Sequence, residues 1–187
     1  MQCGEFLSSI EDRLSDHLER AAAVRAKLTP DQLNWSPEPA KWSIAQIFEH
    51  LILTNTPYVP AIKNGVEAAE KRSGEIKHTF FGKFLIKNAG PKGNAPAPKQ
   101  LHPRPGPYGM DVIDKWAAQT QSLLDLAKGS KGVDLCSFRI QNPLLKMFKM
   151  NLADCFLILT EHTERHIQQI EVLQNRCAAD MPSTANR

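Results

Sequence analysis

From Leu152 to Arg176 the chain runs without a proline or glycine, and Leu152, Phe156, Leu159, Thr163, His166/Ile167, Ile170 and Leu173 recur in steps of three and four. That period is the signature of one long amphipathic helix, about 25 residues and roughly 37 Å. Asn151 and Asp154 supply its N-terminal cap, with the aspartate also suited to the positive end of the helix. A helix of this length stays folded only if its apolar stripe is covered, so the rest of the chain must provide matching surfaces.

It does so three more times. Leu7, Ile10, Leu14, His17, Ala21, Val24 and Leu28 form the seam of a first helix over about Gly4–Leu28. Thr29-Pro30-Asp31 reads as a cap followed by proline at the first helical position, giving a short turn at Asp31–Leu33. Ser43-Ile44-Ala45-Gln46 is a capping box that opens a second long helix, with Ile44, Ile47, Phe48, Leu51 and Ile52 as its stripe. Pro57 and Pro60 are expected to end or kink that helix near Asn55, with helix resuming through Ala61–Arg72. A third long helix spans about Asp111–Lys128 through Val112 or Ile113, Trp116, Thr120, Leu123, Leu124 and Ala127. Val133–Ile140 reads as a short extended piece before a turn at Asn142-Pro143.

Between the second and third long helices lies the least regular part, Ser73–Met110. Six prolines between Pro91 and Pro107 exclude regular structure there, and Lys83, Lys87, Lys92, Lys99 and Arg104 give it a basic character. It reads either as a solvated crossover or as a wall that attracts an anionic ligand. The fold class that follows is all-α, a four-helix bundle over residues 1–176 with a long proline-rich crossover between helices two and three. Residues 177–187 read as a disordered tail.

Composition narrows the functional classes. Of 187 residues, 42% are hydrophobic and 23% charged, and the net charge is +3. This is an ordinary globular balance, short of the basic footprint of a nucleic-acid binder. No stretch reaches the roughly 18 apolar residues of a membrane span, and the N-terminus has no signal-peptide pattern. Cys3, Cys136, Cys155 and Cys177 form no Cys-x-x-Cys pair and suit a reducing compartment. We therefore expect a cytoplasmic protein with neither nucleic acid nor membrane as partner.

The chemistry-bearing feature is His162-Thr163-Glu164-Arg165-His166, two histidines one turn apart in register with the core positions Cys155 and Leu159. His50, in Phe48-Glu49-His50-Leu51, lies beside the stripe of another long helix. Three imidazoles with open positions describe a catalytic rather than a closed structural metal site, fit for Zn²⁺, Ni²⁺, Mn²⁺ or Fe²⁺. The order differs from His-Glu-x-x-His, because Glu164 is about 200° around the helix from His162, which argues against a zincin protease. His17 reads as a core-edge histidine bonded to a neighbour, Trp42 as packing at the start of helix two, and His78 and His102 as exposed loop residues. Glu49 and Glu161 read as solvated, and Gln169 as either a partner of His166 or a surface polar residue.

Lys41-Trp42-Ser43-Ile44-Ala45-Gln46-Ile47-Phe48-Glu49-His50-Leu51, followed much later by Glu161-His162-Thr163-Glu164-Arg165-His166-Ile167-Gln168-Gln169-Ile170, resembles the DinB/YfiT-like superfamily. The resemblance covers roughly Gly4–Arg176. It implies an up-down-down-up four-helix bundle, often dimeric, with a three-histidine site for nickel or zinc matching His50, His162 and His166. It also implies a small-molecule substrate and, in characterised relatives, transfer or isomerisation with low-molecular-weight thiols; others are called metal-dependent hydrolases. The chain departs from the pattern in its long Ser73–Met110 connection and in Asn142-Pro143, where relatives often carry a glycine turn. The expected function is thus a metal-dependent thiol transferase or hydrolase, against the alternative of a non-catalytic metal-binding or interaction bundle.

Overall fold

The structure, a computed structural model, describes residues 1–72, 74–94 and 96–181. It is mostly helical: α1 (Cys3–Arg25), α2 (Pro30–Asn34), α3 (Ile44–Ala68), α4 (Phe80–Ala89), α5 (Asp111–Gly129) and α6 (Leu152–Asp180). One 3₁₀ turn covers Lys99–Leu101, and β1 (Arg139–Gln141) pairs antiparallel with β2 (Lys149–Asn151). No helix among the described residues is long and apolar enough to cross a membrane.

The anticipated caps form. Ser43 Oγ accepts from the Gln46 N–H while Gln46 Oε1 accepts from the Ser43 N–H, and Asn151 and Asp154 make the same reciprocal pair at α6. Thr29 and Gln32 box α2, with Pro30 at its first position.

Three boundaries differ from expectation. α3 passes through Pro57 and Pro60 as one helix. Neither proline is buried, and the residues whose carbonyls lose a helical donor, Leu53 and Thr56, are half-buried and exposed, while Tyr58 and Ile62 stay buried and carry the packing across the break. The supposed irregular connection contains α4, capped by Thr79, whose hydroxyl accepts from the Gly82 N–H. α6 continues past residue 176 to Asp180 because Cys177 is buried, 1% exposed, with its thiol against the Gln32 carbonyl. The rest of the expected tail, 182–187, lies outside the described residues.

α1, α5, α3 and α6 pack in a ring, each long helix against two others, and α4 lies on α6. The buried residues form two apolar clusters. One joins Leu7, Ile10 and Leu14 of α1, Tyr58 and Ile62 of α3, Leu123 and Leu124 of α5, and Cys155, Phe156 and Leu159 of α6. The other joins Ala21 and Val24, Ile44 to Leu51, Val112 to Trp116, and Ile167 and Ile170 of the same four helices. Between them, each helix contributes polar side chains that are buried: His17 on α1, Thr54 and Asn55 on α3, Thr120 on α5, and Thr160 and Thr163 on α6. A polar layer thus divides the core, and the functional residues sit at its edge.

Candidate metal centre

α3 and α6 bring His50, His162 and His166 together from positions 112 and 116 residues apart. His162 Nε2 lies 3.1 Å from Nε2 of His50 and 3.1 Å from Nε2 of His166, and the three donor atoms fall within 4.8 Å of one another. His50 and His166 are buried and His162 half-buried.

The outer nitrogens decide the protonation pattern. His50 Nδ1 is 2.8 Å from the Leu101 carbonyl oxygen, which can only accept, so the proton is on Nδ1 and a lone pair on Nε2. His166 Nδ1 is 2.8 Å from Gln169 Oε1, with the same consequence once the amide is oriented this way. A proton on His162 Nε2 could bond one of these lone pairs and not both, and His162 Nδ1 is buried with no partner among the described residues. Such a set is short of positive charge at its centre.

Burial lowers all three pKa values. For His50 the Leu101 hydrogen bond opposes this, and charge on His102 and Arg165 adds to it. His162 is held well below the usual histidine range by burial and by the other two imidazoles. His166 is lowered by burial and His50 to about 3. At neutral pH the cluster presents three neutral imidazoles, the form that ligates metal. A divalent cation fits this donor set, and the Nδ1 contacts to Leu101 and Gln169 are the outer hydrogen bonds that orient metal-binding histidines.

The histidines form the floor of a cavity of about 480 Å³. Its walls are mainly apolar: Leu85, Ala89, Pro96, Leu144 and Ile158 among others, with Thr54 and Tyr58 one and two turns along α3 from His50. Asn142 donates to the Tyr58 hydroxyl at 2.9 Å and accepts from the Leu144 and Leu145 N–H groups, so the Asn142-Pro143 turn holds one wall. Trp42 does more than pack the start of α3: its ring lies 4.9 Å from that of His50 and faces the cavity.

The long connection is indeed a wall, but its basic side chains are not. Neither Lys83, Lys87, Lys92, Lys99 nor Arg104 lines the cavity; the cation that does is Arg165, which enters no ion pair among the described residues. Arg165 stands between the two α6 histidines in sequence, a position that their spacing alone did not mark. Tyr58 and Ile158 could have been found, since each lies on the face of its histidine, at i+8 from His50 and i−4 from His162.

No carboxylate among the described residues lines the cavity. Glu164 turns to the opposite side, where His17 donates to it at 2.9 Å and Arg20 at 2.9 Å, which agrees with the argument against a zincin. Glu161 accepts from Arg13 at 2.8 Å and Glu49 lies 3.4 Å from Arg104, so neither is free in solvent as expected. His102 is exposed, but His78 is not the free loop residue expected: it donates to Asp154 at 2.9 Å. Cys155 is fully buried in the apolar core, which pushes its thiol pKa up and leaves it outside the site.

Helices packed around a cavity floored by three imidazoles make a mostly helical fold whose buried histidine group is compatible with a metal-binding site. The profile of the DinB superfamily matches residues 13–170, and the chain belongs to that family. No curated protein and no solved structure gives a significant match.

Proposed function

We propose that this DinB-superfamily chain is a metal-dependent enzyme whose ion is held by His50, His162 and His166, with nickel or zinc the first candidates and manganese or iron the alternatives. The observation that carries the reading is the convergence of three neutral imidazole Nε2 atoms, two of them obliged to present lone pairs by the Leu101 carbonyl and Gln169. A bound divalent ion supplies Lewis acidity that lowers the pKa of a thiol or water brought beside it. The chain's own residues do the rest. The apolar walls exclude bulk water, and Arg165 offers a charged donor to an anionic group on the substrate. We put thiol transfer to an electrophilic small molecule ahead of hydrolysis, a preference supported by the lack of a lining carboxylate among the described residues that could serve as general base.

The same reading gives the chain the up-down-down-up course of a DinB bundle. It is supported by the way the two core clusters pair the C-terminal halves of α1 and α6 with the N-terminal halves of α3 and α5. Cytoplasmic location and homodimerisation belong to the proposal as well.

Metal analysis of untagged protein, followed by a screen of low-molecular-weight thiols with electrophilic acceptors beside ester and amide substrates, tests it. Near-stoichiometric metal, lost in His162→Ala and His166→Ala, is expected, with turnover in the thiol screen. No metal under any loading condition would overturn the site; metal without turnover in either screen would favour a non-catalytic, structural ion. In Arg165→Gln the metal content should stay and KM for an anionic substrate should rise roughly tenfold or more, the loss of one charge-assisted hydrogen bond.

A further inference from the structure

Five of the exposed large hydrophobic side chains among the described residues gather beside the cavity, two of them, Phe84 and Leu145, lining it. Phe80, Phe84, Leu145, Met147 and Phe148 are 91%, 55%, 48%, 84% and 37% exposed. They belong to two elements that touch: α4, and the turn between β1 and β2. The ring of Phe81 stacks on that of Phe148 with centroids 4.0 Å apart, and Phe81 in turn stacks on Phe84 at 6.2 Å. Exposed aromatic and aliphatic side chains grouped in this way mark an interaction surface, because a solitary soluble domain gains nothing by leaving them in water.

The charge of the two elements is one-sided. From Ile76 to Met110 the chain has Lys77, Lys83, Lys87, Lys92, Lys99 and Arg104 and no acid, and from Ser137 to Asn151 it has Arg139, Lys146 and Lys149 and no acid. Lys77, Lys83, Lys87, Lys146 and Lys149 are exposed, and none is in an ion pair among the described residues. Two carboxylates that touch α4 are already engaged, Asp154 against Gly82 with His78 and Thr79, and Glu161 against Gly90 with Arg13.

We propose that this face docks on an anionic lipid surface, with Phe80, Phe84, Leu145 and Met147 entering the interface and the lysines meeting lipid phosphates. Apolar side chains ringed by lysine are the recurrent chemistry of a peripheral membrane contact, which needs no spanning helix. A second copy of the chain fits less well, because a two-fold contact would set the lysines of one copy against those of the other. A nucleic acid would meet the lysines and could stack on Phe80, but it would leave the exposed aliphatic Leu145 and Met147 without an apolar partner, which a lipid interior supplies. Docking this way would set the cavity mouth, lined by Phe84, Leu144 and Leu145, against the source of an amphiphilic substrate.

Co-sedimentation of the full chain with phosphatidylcholine vesicles, with and without phosphatidylglycerol, is the test, run independently of any activity. The chain should bind the anionic vesicles, release with rising salt and ignore the neutral ones. Lys83→Ala with Lys146→Ala should cut partitioning roughly thirtyfold, about fivefold for each lysine. Phe80→Ser should cut it about tenfold, with unchanged circular dichroism in both variants because these side chains are exposed. The proposal is overturned by equal binding to both vesicle types, by no binding at low salt, or by variants that bind like the wild type. It is also overturned if Phe80→Ser converts a dimer to a monomer, or if a DNA oligonucleotide is retained by the lysines while vesicles are not.

Discussion

Protein stripped by a chelator is expected to melt roughly 10 °C below the same protein with saturating Ni²⁺ or Zn²⁺. An ion present at about a thousand times its Kd and bound only by the folded state contributes about 4 kcal/mol. For a chain of this size each kcal/mol moves Tm by about 2–4 °C. The increment should vanish in His162→Ala, which removes the imidazole that lies 3.1 Å from both others. An equal Tm with and without metal in the wild type would remove the ion from the site.

The stripped protein should also be acid-sensitive. His50, His162 and His166 have folded pKa values below their unfolded value near 6.5, that of His166 at about 3. Above pH 6.5 they are neutral in both states and contribute no pH dependence. As pH falls below 6.5 the unfolded chain takes up protons that the folded chain refuses, so stability declines until the folded values are reached. Three such groups give a limiting slope of about 4 kcal/mol per pH unit, and His17, whose pKa burial also lowers, steepens it. Against a total stability of about 5–15 kcal/mol, unfolding of the stripped protein is expected between about pH 6 and 4. A flat Tm across that range would mean that the imidazoles charge freely in the folded state.

The parts of the site carried by helical period were legible from the residues alone. His162 and His166 share a face by spacing, and His50 falls beside an apolar stripe opened by a capping box, so three donors could be named before their meeting point was known. What joins them is tertiary. The Leu101 carbonyl that sets the His50 tautomer comes from a 3₁₀ turn inside the proline-rich connection, where no periodicity announces it. Gln169 was legible as either a partner of His166 or a surface polar residue, and the choice between them depends on a side-chain rotamer that sequence does not give; the structure has it as the partner. The continuity of α3 through Pro57 and Pro60 was misjudged because a local rule on proline met a helix packed on both sides of the break. Arg165 was invisible as a cavity residue because a charge beside a core position ordinarily points to water.

α4 is the largest departure, and its cause predicts the second large effect. Phe80-Phe81-Gly82-Lys83-Phe84-Leu85-Ile86-Lys87 has a polar side in Lys83 and Lys87, one turn apart, but ten residues are too few to hold a helix by themselves, so its place is fixed from outside, by Asp154. That side chain is 0% exposed and accepts from the Thr79 hydroxyl at 2.6 Å, the Thr79 N–H at 3.3 Å, His78 at 2.9 Å and the Asn151 N–H at 3.1 Å. Burial alone would raise its pKa; the hydrogen bonds from His78, Thr79 and Asn151 outweigh burial and hold it below the ordinary value. One carboxylate therefore caps α6 and pins the start of α4, and Gly82 is the residue that lets the helix come close enough, since a methyl group there would overlap the carboxylate itself.

Gly82→Ala is expected to cost about 3 kcal/mol, overpacking against a group that cannot move without breaking its bonds, and to lower Tm by roughly 6–12 °C. Asp154→Ala should cost about 3–5 kcal/mol, because it strands buried N–H groups on both helices. Hydrogen exchange should show the loss spreading from 77–90 into the first turn of α6. The imidazoles lie two turns and more beyond Asp154 along α6, so metal stoichiometry should persist in both variants while the Phe84 and Leu85 wall loosens and turnover falls. A Gly82→Ala protein that melts with the wild type would show that α4 is held by its apolar contacts alone and that the Asp154 clamp is incidental to the wall of the site.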